Sequence, residues 1–157
     1  MHNVSGGGIL RFDREGATMQ EEWRPVAGWE DLYEVSSLGR VRSLDREGFT
    51  RGDSKRLYKG RVLKPYPMVR SGYLSVRLSQ AGHPKKLKKV HRLVAEAFIP
   101  NPEGHPLVRH LNDQKEDNRR ENLAWGTAKD NNQDRFRNGY KPHRSSHCKR
   151  GHAVWRQ

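Results

Sequence analysis

The sequence contains a single cysteine, Cys148, so an intrachain disulfide is excluded and a reducing compartment is indicated. Apolar residues are also scarce, at 32% of the 157 residues, and no run approaches the roughly 20 apolar residues that span a bilayer. Near the N-terminus only Ile9 and Leu10 are adjacent apolar residues, too few for the core of a signal peptide. We therefore expect a cytoplasmic protein that makes no contact with membranes.

Acidic residues are few relative to basic ones. The chain has 18 Asp and Glu against 31 Lys and Arg, which gives a formal net charge of +13. From residue 40 to residue 92 there are 16 basic and 3 acidic residues, whereas an ordinary solvated surface mixes the two signs. Lys and Arg gain binding free energy by displacing counterions from a phosphate backbone. No amphipathic basic helix or lipidation signal indicates a membrane instead, so the pattern predicts a nucleic acid partner.

The length and the small apolar fraction allow one domain of ordinary size or two small ones. Residues 1–20 are rich in glycine and show no hydrophobic periodicity, so we expect a disordered extension there. Two short alternating runs follow, at residues 32–35 and 40–44, on either side of a turn that contains serine and glycine. This pattern predicts a β-hairpin. Three aromatic residues are expected to form the core beneath it: Trp23, Trp29 and Tyr33.

The middle of the sequence predicts further strands with a basic edge. Residues 48–60 indicate a polar connection, and residues 61–63 and 73–78 have the alternation typical of strands. After a turn, residues 85–89 are almost all lysine, which suits a strand that lies along a phosphate backbone. Lysines also protect the edge strand of an ordinary soluble sheet, and both interpretations remain open.

Residues 91–98 predict a helix that two following prolines end. Leu93 and Val94 lie on its apolar face, which is expected to pack on the sheet. His91 stands at the start of this helix, and we assign it a structural role.

The stretch after this helix predicts two strands and a second helix. Residues 107–111 and 122–126 form the strands, with a polar loop between them. Thr127 is a plausible N-cap with Asp130 three residues on, as in a capping box, and Gly139 follows the helix end. Each of these three elements carries one residue that could meet the others in space: His110, Asn122 and Asn131.

This stretch resembles an HNH nuclease of the ββα-metal class, in the group related to phage homing endonucleases. The matching residues come from both strands and the helix: His110, Asn122, Leu123, Trp125 and Asn131. Upstream, the run GWEDLYEVSSLGRVRSL resembles the NUMOD4-like DNA-binding module that often precedes such nucleases. The run VHRLVAEAFIPNP resembles their linking helix.

The resemblance implies an α+β protein with a small N-terminal antiparallel β-sheet module, a linking helix and a C-terminal ββα-metal nuclease unit. We expect the module to occupy residues 21–89 and the nuclease unit, with its linking helix, residues 90–139. Residues 140–157 would then form a basic tail.

The resemblance also implies the chemistry of the site. His110 would be the general base that takes a proton from the attacking water, and its ordinary pKa lies near working pH. Asn122 would hold the loop, and through it the strand of His110, by hydrogen bonds. Asn131 would bind Mg²⁺, or Mn²⁺, through its amide oxygen, because these hard cations prefer oxygen ligands.

Arg109 is a departure from the family pattern. Many of these enzymes have Asp or Asn before the general base as a second metal ligand, and a guanidinium cannot ligate a cation. Either the ligand comes from elsewhere, with Asp113 as the nearest candidate, or phosphate and Asn131 hold the metal. Alternatively, Arg109 clamps the scissile phosphate.

The expected substrate is double-stranded DNA, nicked by a monomer or weak dimer encoded by a phage in a bacterial host. The residues expected to contact DNA are Arg40, Arg42, Arg61, Arg77, Lys85, Lys86, Lys88, Lys89, Arg109, Arg119 and Arg120. One alternative is a sequence-specific DNA-binding protein whose nuclease site has degraded. Another is a nicking endonuclease associated with phage DNA packaging.

The tail carries four residues of types that bind zinc: His143, His147, Cys148 and His152. Its CKRGH run resembles the first half of a Cys-rich zinc tail, but a second Cys pair is missing. We therefore favour a basic tail that contacts DNA over a Zn²⁺ site.

Overall fold

The computed structural model describes residues 11–12, 18–49, 54–80 and 84–141. In these ranges the chain forms short antiparallel strands and two helices, so the α+β class predicted from the sequence is confirmed. Neither of the two described helices is long and apolar enough to cross a membrane.

The first pairing lies within the predicted extension. Strands β1 (Arg11–Phe12) and β2 (Thr18–Met19) form a small antiparallel hairpin within it. Phe12 lies opposite Thr18, and both residue types favour strands. The glycine-rich composition around these residues hides that preference in the sequence. Residues 1–10 and 13–17 lie outside the described ranges.

A three-stranded antiparallel sheet comes next, in the order β3 (Trp23–Pro25), β4 (Tyr33–Ser36) and β5 (Val41–Ser43). The predicted hairpin of β4 and β5 is confirmed, and its turn places Gly39 at a φ of +81°. This left-handed conformation is strained for other residues, which explains the glycine.

Two of the three predicted core aromatics, Trp29 and Tyr33, are buried. Trp23 is only partly buried and lies at the edge of the sheet, where the Arg42 guanidinium stands 4.2 Å from the centre of its ring. Trp23 therefore forms a cation–π contact rather than part of the core.

The predicted connection at residues 48–60 is wrong, because strands β6 (Arg46–Phe49) and β7 (Lys55–Tyr58) pair there as a hairpin. All four residues of β7 are exposed, so the sequence has no inward and outward alternation to reveal the strand. The strand predicted at residues 61–63 is reduced to a single bridge between Val62 and Arg42.

The lysine-rich run forms a strand, as predicted. Strands β8 (Tyr66–Pro67), β9 (Leu74–Leu78) and β10 (Lys86–Lys89) form a second antiparallel sheet with β9 in the centre. Helix α1 (Val90–Phe98) follows β10 without a connecting loop. Its apolar face packs on one core with β4, β5 and β9. The buried residues of this core are Val26, Trp29, Tyr33, Val35, Val41, Val76, Leu78, Val90, Leu93, Val94 and Leu123.

The C-terminal unit has the predicted two strands and a helix. Strands β11 (Leu107–His110) and β12 (Leu123–Gly126) are antiparallel, and helix α2 (Ala128–Arg137) follows. Thr127 and Asp130 form the predicted capping box, and Gly139 adopts a φ of +85° just beyond the helix. The Trp125 indole donates a hydrogen bond of 2.9 Å to the carbonyl of Ile99, which ties β12 to the end of α1.

Candidate active site

His110 ends strand β11 and turns its ring into the protein, where the residue is only 6% exposed. Its Nε2 lies 3.2 Å from Oδ1 of Asn118. The Asn118 amide donates through Nδ2 to the carbonyl of Glu116, so its oxygen faces the ring. An amide oxygen only accepts hydrogen bonds, so Nε2 carries the proton. Nδ1 of His110 is left with its lone pair, as a proton acceptor requires.

The surroundings of His110 favour its neutral form. Burial lowers the pKa of the imidazole, and the Lys115 ammonium acts in the same direction. The hydrogen bond to Asn118 and the carboxylates of Asp117 and Asp113 raise it, but the net shift is downward. His110 is therefore uncharged at neutral pH and able to accept a proton.

Asn118 is a residue that the sequence prediction missed, and the N-terminal sheet supports its position. A Cβ on Gly39 would lie 2.8 Å from the Cβ of Asn118, so only glycine fits in this turn. The Arg120 amide also donates a hydrogen bond of 2.9 Å to the carbonyl of Ser37. The β4–β5 hairpin thus braces the loop that orients His110.

Asn122 is buried at the end of the same loop, in a 3₁₀ turn before β12. Its Oδ1 accepts a hydrogen bond of 3.0 Å from the Asn112 amide. Its Nδ2 donates to Oδ1 of Asn112 at 2.9 Å and to the carbonyl of Asp117 at 2.8 Å. The Asn122 side chain thus connects the start of the loop, at Asn112, to Asp117 further along it. Asn122 does not line the cavity that His110 faces.

The open side of His110 faces a cavity of about 310 Å³. The cavity is lined by Tyr73, His110, Asp113, Lys115, Asn131 and Arg135. The fold thus brings His110 of β11 and Asn131 of α2 together, with Asp113 between them in sequence. The two cations, Lys115 and Arg135, were not predicted to belong to the site. The sequence contains a signal for Arg135 alone, which lies one helical turn after Asn131 and therefore on the same face of α2.

The donors in this cavity suit a hard divalent cation. Asp113 offers a carboxylate and Asn131 an amide oxygen, and Mg²⁺ is commonly held by one or two protein ligands while water and phosphate complete its shell. The described residues contain no cluster of three or more His, Cys, Asp or Glu side chains that could enclose a metal. An open site shared with substrate phosphate fits this ligand set. The residues of the tail considered for Zn²⁺ lie outside the described ranges.

Arg109 points away from the cavity, because neighbouring residues of a strand face opposite sides. Its guanidinium forms an ion pair with Asp134 of α2, and the side chains are only 16% and 6% exposed. Its Nε lies against Gly126, where a Cβ would collide with it. Arg109 therefore links β11 to α2 and keeps its charge out of the cavity. A role of Arg109 in contacting DNA would require this ion pair to open.

The other cations predicted to contact DNA fall into three groups. Four of them already have carboxylate partners: Arg40 pairs with Glu21, Arg42 with Glu34, Arg119 with Asp117, and Arg120 with Glu22 and Glu121. Lys85, Lys86 and Lys89 are exposed and Lys88 is partly buried.

Arg61 and Arg77 line a cleft of about 490 Å³ between the β6–β7 hairpin and the sheets. Three further cations that sequence reasoning did not select line the same cleft: Arg46, Arg56 and Lys59. No Asp or Glu among the described residues contributes to its lining. This concentration of positive charge is suited to a phosphate backbone.

His91 lies directly beside His110, with ring centres 5.1 Å apart. Burial is the main cause that lowers the pKa of His91, to about 3, and His110, Lys89 and Arg92 lower it further. The sequence gives no sign of this contact, because it depends on how α1 packs on β11.

Residues 21–79 match the NUMOD4 motif, and residues 88–133 match the HNH endonuclease family. The chain is 31% identical over 118 residues to DNA endonuclease I-HmuI of Bacillus phage SP01. Two uncharacterized HNH endonucleases of Acanthamoeba polyphaga mimivirus are 36% and 34% identical over 115 and 126 residues. The fold superposes on the solved structure of I-HmuI, described as "DNA binding and cleavage by the HNH homing endonuclease I-HmuI", with a TM-score of 0.58.

These matches cover most of this chain but only part of the relatives. The mimivirus proteins match over 71% and 80% of this chain, which corresponds to 25% and 33% of their own lengths. I-HmuI matches over 75% of this chain and 59% of its own length, in sequence and in structure.

Proposed function

We propose that this chain is an HNH endonuclease with a NUMOD4 motif ahead of its nuclease unit, and that it hydrolyses phosphodiester bonds of double-stranded DNA. One observation carries the proposal: a buried, neutral histidine lines a cavity that also holds oxygen donors and two cations. A single site of this kind cuts one strand, so we expect a nick from a monomer or weak dimer. DNA as the substrate implies action inside a cell, for which phage infection of a bacterium is the expected setting.

In the proposed reaction, Nδ1 of His110 takes a proton from a water molecule as the water oxygen attacks the phosphorus. Asn118 keeps the second ring nitrogen protonated, and Asn122 fixes the loop that carries Asn118. Lys115 and Arg135 are placed to hold the non-bridging phosphate oxygens, whose charge grows as the bond forms. The 3′ oxygen leaves as the opposite bond breaks.

Asp113 and Asn131 would hold Mg²⁺ or Mn²⁺. When bound there, the cation would supply Lewis-acid stabilisation of the leaving oxygen and of the charge on phosphorus. Asp113 adopts a φ of +57°, a strained conformation for a residue other than glycine. Strained conformations persist where the surrounding structure imposes them, often at functional sites, which agrees with a ligand role for this residue.

The first prediction tests catalysis and its need for metal. Purified protein incubated with supercoiled plasmid and Mg²⁺ or Mn²⁺ should produce the relaxed circular form. EDTA should abolish this product and added metal should restore it, because the leaving oxygen would otherwise lack its Lewis-acid stabilisation. Gel electrophoresis of the plasmid forms measures the result. Relaxed product that persists in EDTA would contradict the metal requirement, and no product in any metal would contradict catalysis.

The second candidate is a DNA-binding protein with an inactive nuclease site, which the Arg109 departure favours. It predicts tight, salt-sensitive binding to DNA without cleavage in Mg²⁺ or Mn²⁺. The plasmid experiment therefore separates the two candidates, provided that binding is measured on the same sample.

The second prediction concerns the basic cleft. The double substitution Arg61→Glu and Arg77→Glu should weaken DNA binding for all sequences, because it removes two cations from the cleft lining. If each contacts a phosphate, the slope of log affinity against log salt should become shallower by about 2. Fluorescence anisotropy across a salt series measures this slope. Lys129→Glu is the control, because it makes the same charge reversal at one exposed residue of α2 outside the cleft, and it should change the slope by less than half as much as the double variant. An unchanged slope in the double variant would exclude the cleft as a phosphate site.

A further inference from the structure

His91 is an unusual choice for its position in α1. It is 5% exposed, and on the same helix the buried residues Val90, Leu93 and Val94 are aliphatic. Its Nδ1 is buried and has no hydrogen-bond partner among the residues that the structure describes. A buried polar atom without a partner costs free energy that a leucine of similar size would not. Packing alone therefore does not explain a histidine here.

The neighbours of His91 indicate what it does. Its ring stands at 68° to the ring of His110, with the centres 5.1 Å apart, and lies 4.6 Å from the ring of Tyr73. Tyr73 in turn is stacked on His110 at 5.8 Å, with an angle of 25° between the planes. Each of the three rings therefore contacts the other two. Tyr73 stacks on the His110 ring, and His91 makes a T-shaped contact with it.

These ring contacts supply a constraint that the hydrogen bond to Asn118 cannot. A single bond at Nε2 fixes one ring atom and leaves the plane of the imidazole free to tilt. Contacts from Tyr73 on one side and His91 on another remove that freedom. The direction of the opposite nitrogen, Nδ1, is then determined as well.

We propose that His91 is a positioning residue of the nuclease site, which together with Tyr73 holds the ring of His110 so that Nδ1 faces the cavity. The inference rests on the proposed function, because it gives His110 the part of general base. His91 itself does not take the proton. Its low pKa agrees with a neutral ring that does not compete with His110 for charge.

The test is the substitution His91→Leu, which fills the space without a ring and removes the unpartnered nitrogen. We expect the melting temperature to stay the same or rise. The kcat for plasmid nicking should fall by about 10–100-fold because the base is misaligned, while KM for DNA stays within about twofold. If His91 had only a packing role, the substitution would lower the melting temperature and leave the kcat of the folded protein unchanged.

A spectroscopic measurement tests the same proposal without nuclease activity. In the wild-type protein, the ¹⁵N shifts of His110 should show one tautomer with the proton on Nε2. In His91→Leu, the two shifts should move toward the average of both tautomers, because a ring that is free to tilt spends part of its time with the hydrogen bond to Asn118 broken. If the wild-type protein fails to nick DNA, the proposed function fails, but this measurement still decides whether His91 positions His110.

Val94→Ala is the matched control, since Val94 is fully buried on the same helix and makes no ring contact with His110. It should lower the melting temperature and leave both kcat, measured well below that temperature, and the His110 tautomer unchanged. Wild-type kcat in His91→Leu, or a His110 tautomer equal to that of the wild type, would overturn the proposal.

Discussion

Replacing His110 by alanine is expected to lower the rate of plasmid nicking by about 10²–10⁴-fold, the usual range for the loss of a general base. The affinity for DNA should change little, because the ring is 6% exposed and the cations of the basic cleft remain in place. The nicking rate should fall because Nε2 of the imidazole is bound to Asn118, so that Nδ1 is the proposed proton acceptor.

Single-turnover nicking of supercoiled plasmid in Mg²⁺ measures this effect, and anisotropy with the same DNA measures affinity. His105→Ala is the control histidine variant, because His105 pairs with Glu103 and does not line the cavity. Its nicking rate should equal that of the wild type. Equal rates for His110→Ala and the wild type would remove His110 from the mechanism.

The same hypothesis sets the pH dependence. A general base must be unprotonated, so kcat/KM should rise with pH as His110 of the free enzyme loses its proton. Burial lowers the pKa of His110, so the midpoint of this rise should lie below the ordinary value of 6.5. The rate should then be flat from neutral pH upward. A midpoint above 6.5 would contradict this assignment of the base.

The sequence is most informative about the ββα unit, because its signals are local. The capping box of Thr127 and Asp130 and the glycine after α2 fix the ends of one helix through hydrogen bonds within a few residues. The amphipathic pattern of α1 likewise predicts a helix without any information about the sheets on which it packs. His110 and Asn131 come together because short strands and a capped helix leave few ways to connect them.

Contacts that depend on tertiary packing were not predictable in the same way. Asn118 lies in a polar loop with several Asn and Asp residues, and only the position of Gly39 from another sheet singles it out. His91 has the spacing of an ordinary core residue. The hairpin of β6 and β7 exposes nearly all of its side chains, so its strands lack the hydrophobic alternation that marks a buried face.

Arg109 shows how one residue can be understood only with its partner. The sequence presents it as a cation beside the proposed general base, where it would repel a metal or bind a phosphate. In the structure it lies on the opposite face of β11, in an ion pair with a residue 25 positions later in the chain. No local pattern connects these two residues.

Removal of the Asp134 carboxylate should therefore lower the stability of the protein strongly. In Asp134→Ala, the Arg109 guanidinium would remain in the interface of β11 and α2 without its counter-charge. Loss of one member of a buried ion pair typically costs about 3–5 kcal/mol. Urea unfolding followed by circular dichroism should show a fall of this size in the free energy of unfolding. A change of less than about 1 kcal/mol would match an exposed pair and contradict the buried link.

The double substitution Arg109→Met and Asp134→Leu separates stability from chemistry. Replacing both charges by apolar side chains removes the uncompensated charge, and such exchanges are often neutral or stabilising. The double variant should therefore recover most of the stability lost in Asp134→Ala. It should also nick plasmid at close to the wild-type rate, because Arg109 does not line the cavity of His110 and Asn131. A stable double variant that no longer nicks would show that Arg109 leaves Asp134 during the reaction and clamps the phosphate after all.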